Sequence, residues 1–143
     1  MQFVKTSERY IVRLEKGESI IDELTSFCQK ENITTGFFYG LGAVLSAELG
    51  YYNLKTKKYR TKKFNNPHEI VSLVGNVSIV NNKPFIHAHC VLSNENFECF
   101  GGHLKEAVVG GTCEIYLTRE EIALERKYDE ETGLKLLDCA VKK

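Results

Sequence analysis

Hydrophobic positions along the chain follow two different periods, which predict one early helix in a protein made mostly of strands. Residues 10–14 alternate in the way typical of a strand and end at Gly17. Ser19 then precedes apolar residues at helical spacing, which predicts a helix over residues 19–31 with Ser19 as its N-cap. The buried stripe of this helix is predicted to consist of Ile20, Ile21, Leu24, Phe27 and Cys28.

Beyond Asn32, runs of β-branched and aromatic residues punctuated by glycine predict a large sheet. Turn-like residues at 81–83 and 93–96 indicate that three consecutive strands form a meander. The pattern predicts an α+β fold, with one early helix on a large antiparallel, barrel-like sheet, in a single domain over residues 1–143. The predicted strands are 36–45, 47–53, 58–64, 69–80, 84–92, 97–104 and 112–118, followed by a strand at 123–129 and a terminal segment at 134–141.

Composition narrows the classes of protein that fit. The chain has 143 residues, 16.3 kDa, and 19 basic against 19 acidic residues, a balance that argues against a protein wrapped in nucleic acid over its whole surface. The five cysteines are an odd number without a Cys-x-x-Cys pair, which is not a disulfide framework. With no signal-peptide pattern and no long apolar run, we expect a soluble cytoplasmic protein.

Three of the four histidines fall in one predicted hairpin. His87 and His89 are two residues apart on a strand and therefore share a face. A turn centred near Glu95 predicts that His103 lies opposite His87, and Gly101 opposite His89, where the missing side chain would leave room. Three converging imidazoles match the ligands of an open zinc site. Alternatively, they are ordinary histidines that form hydrogen bonds or contact another subunit.

The remaining cysteine and histidine candidates are weaker. Strand parity places Cys90 on the opposite face, and Cys99 on the face of His103 but four residues away. Both are interpreted as core thiols rather than ligands. His68, at the start of another strand, is interpreted as a surface or turn residue, although it could also orient a metal ligand through a hydrogen bond.

Several motifs together resemble the plants and prokaryotes conserved (PPC) domain, also called DUF296, over nearly the whole chain. They are Arg13-Leu14 with Gly17-Glu18, the Gly40 to Ala43 run, Glu69 to Leu73 with Gly75-Asn76, the Pro84 to His89 run, Gly101 to Leu104, Asp129, and Thr132 to Leu134. The plant proteins carry an Arg-Gly-Arg-Pro hook that this sequence lacks. The resemblance is closer to the stand-alone prokaryotic form and implies a homotrimer with a zinc site at His87, His89 and His103.

One functional hypothesis is a zinc-containing homotrimer that binds DNA or a regulatory protein. Its local support is the run 55–63, in which six of nine residues are basic. The candidate DNA contacts in it are Lys57, Lys58, Arg60, Lys62 and Lys63. The alternative is a solvated edge hairpin whose lysines discourage aggregation between strands.

The other hypothesis is a metal-dependent lyase or hydrolase that acts on a small 2-hydroxy or 2-keto acid. The fold is also similar to that of acetolactate decarboxylase, a zinc enzyme with a His-x-His pair and a later histidine. Glu69 is the candidate general acid or base, and its alternative is a structural role at a strand end. Arg13 either binds a substrate carboxylate, since a small carboxylate is a candidate ligand at the metal, or pairs with Glu18.

Overall fold

A computed structural model describes residues 1–7 and 9–140 and confirms the α+β class. Within those residues, one helix accompanies nine strands that are almost entirely antiparallel. In chain order the elements are β1 (Gln2–Lys5), β2 (Arg9–Glu15), α1 (Ile20–Lys30), β3 (Gly36–Asn53), β4 (Lys58–Phe64), β5 (His68–Val80), β6 (Lys83–Ser93), β7 (Cys99–Arg119), β8 (Arg126–Asp129) and β9 (Leu134–Leu137).

The main sheet closes on itself. Strand β3 pairs with both β5 and β7, while β6 also pairs with both of these strands, so the four form a closed ring. The remaining strands of the sheet pair with the two long strands of this ring or with each other. Strand β4 pairs with β3, β2 pairs with β7, and β1 pairs with β2 at the edge. The predicted barrel-like sheet and the β5–β6–β7 meander are therefore confirmed.

Two strands are longer than the sequence pattern predicts. Residues 36–45 and 47–53 form the single strand β3, and residues 99–104 and 112–118 belong to the single strand β7, which begins two residues later than the predicted start at 97. Both strands run through register shifts, so bulges bend the sheet where the pattern suggests breaks. The structure also contains the unpredicted β1, begins β8 at Arg126 rather than 123, and ends β9 at Leu137; Val141 lies outside the described residues.

The core explains which side chains face outward. Helix α1 spans one residue less at each end than predicted and buries Ile20, Leu24, Phe27 and Cys28 in one cluster with every second residue of β6. In β6 these core residues are Ile86, Ala88, Cys90 and Leu92. The residues between them, including His87 and His89, therefore lie on the outer face of the barrel.

The C-terminal hairpin β8–β9 packs on that outer face. At one end, Arg126 donates to Ser78 of β5 over 2.8 Å. At the hairpin turn, the Tyr52 hydroxyl donates to the Thr132 carbonyl over 2.7 Å, and Lys57 Nζ donates to the Glu130 carbonyl over 2.6 Å. The hairpin thus reaches from β5 to the β3–β4 turn. In the part of the chain that the structure describes, no helix has the length and apolarity to span a membrane.

Candidate metal centre

Three histidines converge on the outer face of the barrel, two from β6 and one from the neighbouring β7. The ring centroids of His87 and His89 are 5.3 Å apart, those of His87 and His103 are 5.2 Å apart, and those of His89 and His103 are 5.4 Å apart. One nitrogen from each ring lies within 4.8 Å of the other two. The sequence-based prediction that these three side chains share a face agrees with this arrangement.

The predicted pairing of His103 with His87 is wrong by two residues. His103 is the Cα partner of His89, and Gly101 faces Val91 rather than His89. The connecting loop is longer than expected: Ser93 pairs with Cys99, and the Asn94 side chain accepts the amides of Asn96 and Glu98 over 2.9 and 3.0 Å. A shift of two residues preserves the face of a strand, so the three histidines still converge.

The surroundings favour neutral imidazoles. Burial, then the charge of Arg126 and the two neighbouring histidines, lowers the pKa of His87 to about 4. Burial also lowers the pKa of His103, with smaller contributions from His89, Lys105 and Arg126. His103 Nδ1 is buried and has no hydrogen-bond partner. Neutral rings with a free nitrogen are what a metal ion requires, so these residues fit a metal ligand set.

Arg126, which the sequence analysis did not identify, forms one wall of the cluster. Its Nη2 lies 3.2 Å from His87 Nδ1 and donates to Asn76 Oδ1 over 2.8 Å. Its Nη1 donates to the Lys135 carbonyl over 3.0 Å, and its guanidinium lies 5.3 Å from the centre of the Phe85 ring. No spacing along the chain could have indicated this contact, because it depends on how the hairpin β8–β9 docks.

Tyr59 of β4 covers the other side of the cluster. Its ring lies 5.2 Å from that of His103, centroid to centroid. Gly50, the Cα partner of His103 in β3, makes this possible, since a Cβ there would lie 3.0 Å from the Tyr59 ring. Burial and the neighbouring Tyr52 raise the pKa of Tyr59, which keeps the phenol protonated near neutral pH.

The structure does not bring Glu69 or Arg13 to the histidines. Glu69 pairs with Ser93, four residues along β6 from His89, or about 13 Å at the usual rise of a strand. It lines a separate surface cavity of about 320 Å³. Arg13 pairs with Glu15 over 3.2 Å rather than with Glu18, whose carboxylate contacts the N-terminal amine instead.

Two further interpretations need correction. His68 is buried rather than at the surface: Nδ1 lies 2.8 Å from the Asn66 carbonyl, and its ring contacts Phe64 and Phe100 edge-on. Cys99 is exposed and not a core thiol, because it begins β7 on the outer face. Cys90 is buried as predicted, and burial raises the pKa of its thiol to about 12.

The basic candidates do not form one patch. Strand β4 is an exposed edge strand whose side chains alternate between two faces. Lys63 lies 3.9 Å from Glu48, and Lys62 Nζ lies 4.9 and 4.8 Å from the ring centres of Phe64 and Phe100 on the other face. Lys57 is bonded to the hairpin turn, as described above. Lys58 and Arg60 are exposed on the face of Lys62.

The fold and the site together define a small closed barrel with three histidines gathered on its outer face. The chain belongs to the Plants and Prokaryotes Conserved (PCC, or PPC) domain family, whose sequence profile matches residues 1–121. This confirms the resemblance inferred from the motifs. A comparison with curated protein sequences finds no match.

Several solved structures are similar over nearly the full chain. A metal-containing protein from Archaeoglobus fulgidus is 36% identical, with a TM-score of 0.87 and coverage of 95% of this chain and 96% of that one. A candidate DNA-binding protein from Bacteroides thetaiotaomicron is 30% identical, with a TM-score of 0.93 and coverage of 96% of both chains.

A more distant likeness concerns the fold alone. The α-acetolactate decarboxylase of Bacillus subtilis is 14% identical, with a TM-score of 0.55, and the match covers 91% of this chain and 60% of the enzyme. At this identity the similarity supports the predicted acetolactate decarboxylase-like fold and carries no information about chemistry.

Proposed function

We propose that this protein is a metal-binding PPC-domain protein that holds a divalent transition metal, zinc by preference, through His87, His89 and His103. The observation that carries the proposal is the convergence of three imidazole nitrogens within 4.8 Å of one another. A similar protein from Archaeoglobus fulgidus, at 36% identity, is named for its metal content. Three nitrogen ligands and a free fourth position are typical of an open zinc site.

The chain's own residues prepare this site. Burial favours the neutral form of His87 and His103, in which each ring carries one nitrogen lone pair. His89 is exposed and leaves the cluster open to solvent on one side. When bound, the metal would act as a Lewis acid toward an oxygen ligand at the free position. The Tyr59 ring lies against His103 on the side of β4.

Metal analysis of protein purified without a histidine tag tests the site. We expect about one zinc per chain in the parent and less than about 0.2 in His87→Ala and His103→Ala, because two ligands hold zinc weakly. The matched control is His68→Gln, which changes the histidine outside the cluster and should retain the metal. A parent protein without metal, or variants with unchanged content, would contradict the assignment.

We further propose that the protein is a homotrimer of one domain, residues 1–143, in the cytoplasm. An exposed row on the outer face supports self-association: Ile11, Tyr116, Tyr39 and Val74 are successive Cα partners across the strands, and the next residue in the row is His89. These four side chains are 40–54% exposed. Contiguous exposed apolar surface of this kind is typical of an interface. Sedimentation should give three times the chain mass, and Val74→Glu should reduce it.

A DNA-binding or regulatory role is the functional assignment that we propose for this assembly. Similar proteins from Bacteroides thetaiotaomicron and Ralstonia eutropha, 30% and 31% identical, are candidate DNA-binding proteins. On this chain the DNA contacts would come from Lys58, Arg60 and Lys62, which share one face of β4. A gel-shift titration at physiological salt tests it: binding should weaken in Lys58→Gln with Arg60→Gln, and no retardation of DNA by the parent would refute the role.

The second candidate is a metal-dependent lyase or hydrolase acting on a small 2-hydroxy or 2-keto acid. The open side of the cluster at His89 favours it, because a carboxylate or keto oxygen could reach the free coordination position. Glu69 lies about 13 Å along the sheet from His89, which is too far for a general acid or base even through one water, so Glu69→Gln is expected to leave turnover unchanged. Turnover of such acids by the zinc-loaded protein, lost in His89→Ala, would support the enzyme over the binding protein.

A further inference from the structure

The contact between Arg126 and His87 assigns the proton on the His87 ring. A guanidinium has only donors, so Arg126 Nη2 at 3.2 Å from His87 Nδ1 must donate to that nitrogen. His87 Nδ1 is therefore the acceptor, and a neutral ring then carries its proton on Nε2. In this arrangement the single lone pair of His87 points at Arg126.

A metal ion needs that same lone pair. Histidine ligands usually donate their second N–H to a carboxylate or a carbonyl, which holds the other nitrogen free for the metal. Here the partner of Nδ1 is a cation with nothing to accept a proton. In the other neutral tautomer, the proton is on Nδ1 and the lone pair on Nε2 is free for a metal. The N–H on Nδ1 would then face the N–H groups of Arg126.

We propose that Arg126 and the metal ion compete for His87, so that metal loading releases the Arg126 end of the β8–β9 hairpin. The inference rests on the proposed three-histidine metal site. The hairpin can yield at Arg126 without leaving the barrel, because Tyr52 and Lys57 hold its turn and the Ile79 amide, which donates to the Leu124 carbonyl over 2.8 Å, holds the chain before β8. Release of Arg126 would also give up its bonds to Asn76 and Ser78, which links metal binding to these two residues on the outer face of β5.

Cobalt titration of the intact protein, followed by visible absorption in competition with a chelator, tests the competition. Arg126→Met keeps much of the side-chain volume and removes every donor. We expect it to bind cobalt at least about tenfold more tightly than the parent, the size expected from removing one charge-assisted hydrogen bond. The matched control is Lys127→Met, which removes the neighbouring charge on the same strand and should leave the affinity unchanged.

A gain of affinity distinguishes competition from ordinary support of the site. If Arg126 merely held His87 in place, its removal would weaken binding. Equal or weaker cobalt binding by Arg126→Met, beside a parent that binds, would therefore overturn the competition and leave the metal site standing. Absence of cobalt binding in the parent and in both variants would remove the metal site and the competition together.

Hydrogen exchange of the unmodified protein gives an independent reading that does not depend on the variant folding. Zinc should accelerate amide exchange in peptides spanning residues 124–137, whose Glu125 carbonyl also accepts a hydrogen bond from the Asp138 amide over 2.8 Å. Peptides from the β2 region should not change. Unchanged or slower exchange in residues 124–137 at saturating zinc would overturn the proposal.

Discussion

The histidine cluster and the basic strand β4 both place polar groups around the barrel, yet they are organised in opposite ways. The histidines belong to β6 and β7, which are two of the four strands of the closed ring. Pairing on both sides of these strands fixes the histidine side chains on the outer face of the barrel. Strand β4 pairs only with β3, and its charged side chains alternate between two exposed faces. Pairing on both sides therefore gathers the three imidazoles at one place, whereas the edge strand spreads its charges over two faces.

The same difference appears in the environment of each group. His87 and His103 are partly buried against Arg126 and Tyr59, which shifts the pKa of both rings downward. Lys58 and Arg60 remain exposed. Exposed cations gain little from single partners and are screened by salt, so single partners contribute little to the stability of β4.

The largest contrast in stability should come from one strand position beside each region. Leu104 follows His103 and is 3% exposed in the core, so Leu104→Ala is expected to cost about 2–5 kcal/mol. Arg60→Ala on β4 should change the free energy of unfolding by less than about 0.5 kcal/mol. Urea denaturation measures both. Equal costs would contradict the view that the histidine strand is fixed by the core and β4 is not.

Substitutions at two glycines of the outer face, Gly50 and Gly101, test how tightly the histidine region is packed. Gly50→Val should cost about 1–3 kcal/mol, since a side chain there overlaps the Tyr59 ring that lies on His103. Gly101→Ala is the control, because a Cβ there meets only ordinary contacts at 3.5 and 3.6 Å. Thermal unfolding of both variants checks this, and a harmless Gly50→Val would show that Tyr59 is free to move.

Acid should weaken the histidine region first. The pKa of His87 is about 4 in the folded protein against 6.5 as the usual value, so between these pH values the unfolded chain binds a proton that the folded chain does not. The contribution of the neutral His87 ring to the free energy of unfolding should be fully present above pH 6.5 and should be lost as the pH drops toward 4. Denaturation midpoints at pH 7 and 5 measure the decline, and His87→Gln should make it shallower; an equally steep decline in that variant would refute the assignment.

The smallest effect should come from the one lysine of β4 that rests on aromatic rings. Lys62→Met removes a cation from above Phe64 and Phe100 and should cost about 0.5–1 kcal/mol. Lys58→Met, with no such ring beneath it among the described contacts, should be neutral. Chemical denaturation can resolve the two, and identical midpoints would show that the rings contribute nothing.

The sequence was sufficient to predict what depends on local periodicity. The period-2 pattern placed His87 and His89 on one face, and a register error of two residues did no harm because parity was preserved. Helix α1 was found from its apolar stripe and Ser19, although the Ser19 side chain makes no capping bond. These features need only neighbouring residues.

Long-range pairing was the part that the sequence could not supply. The pattern predicts four separate strands where β3 and β7 are each continuous, because the register shift at Val44/Ser46 in β3 and the glycines at 110–111 in β7 interrupt the alternation without ending the strand pairing. Arg126 reaches His87 from 39 residues away, through a hairpin whose docking no pattern specifies. Likewise, the sequence pattern predicts a surface or turn position for His68, whereas Phe64 and Phe100 pack against its ring in the structure.

X-ray absorption spectroscopy of the zinc-loaded, tag-free protein tests the central claim most directly. The account predicts three imidazole nitrogens at about 2.0–2.1 Å from zinc and one further light ligand, with no sulfur. The imidazole signal should be lost in His103→Ala. A shell containing sulfur at about 2.3 Å, or fewer than three imidazoles in the parent, would contradict the assignment of the metal to His87, His89 and His103.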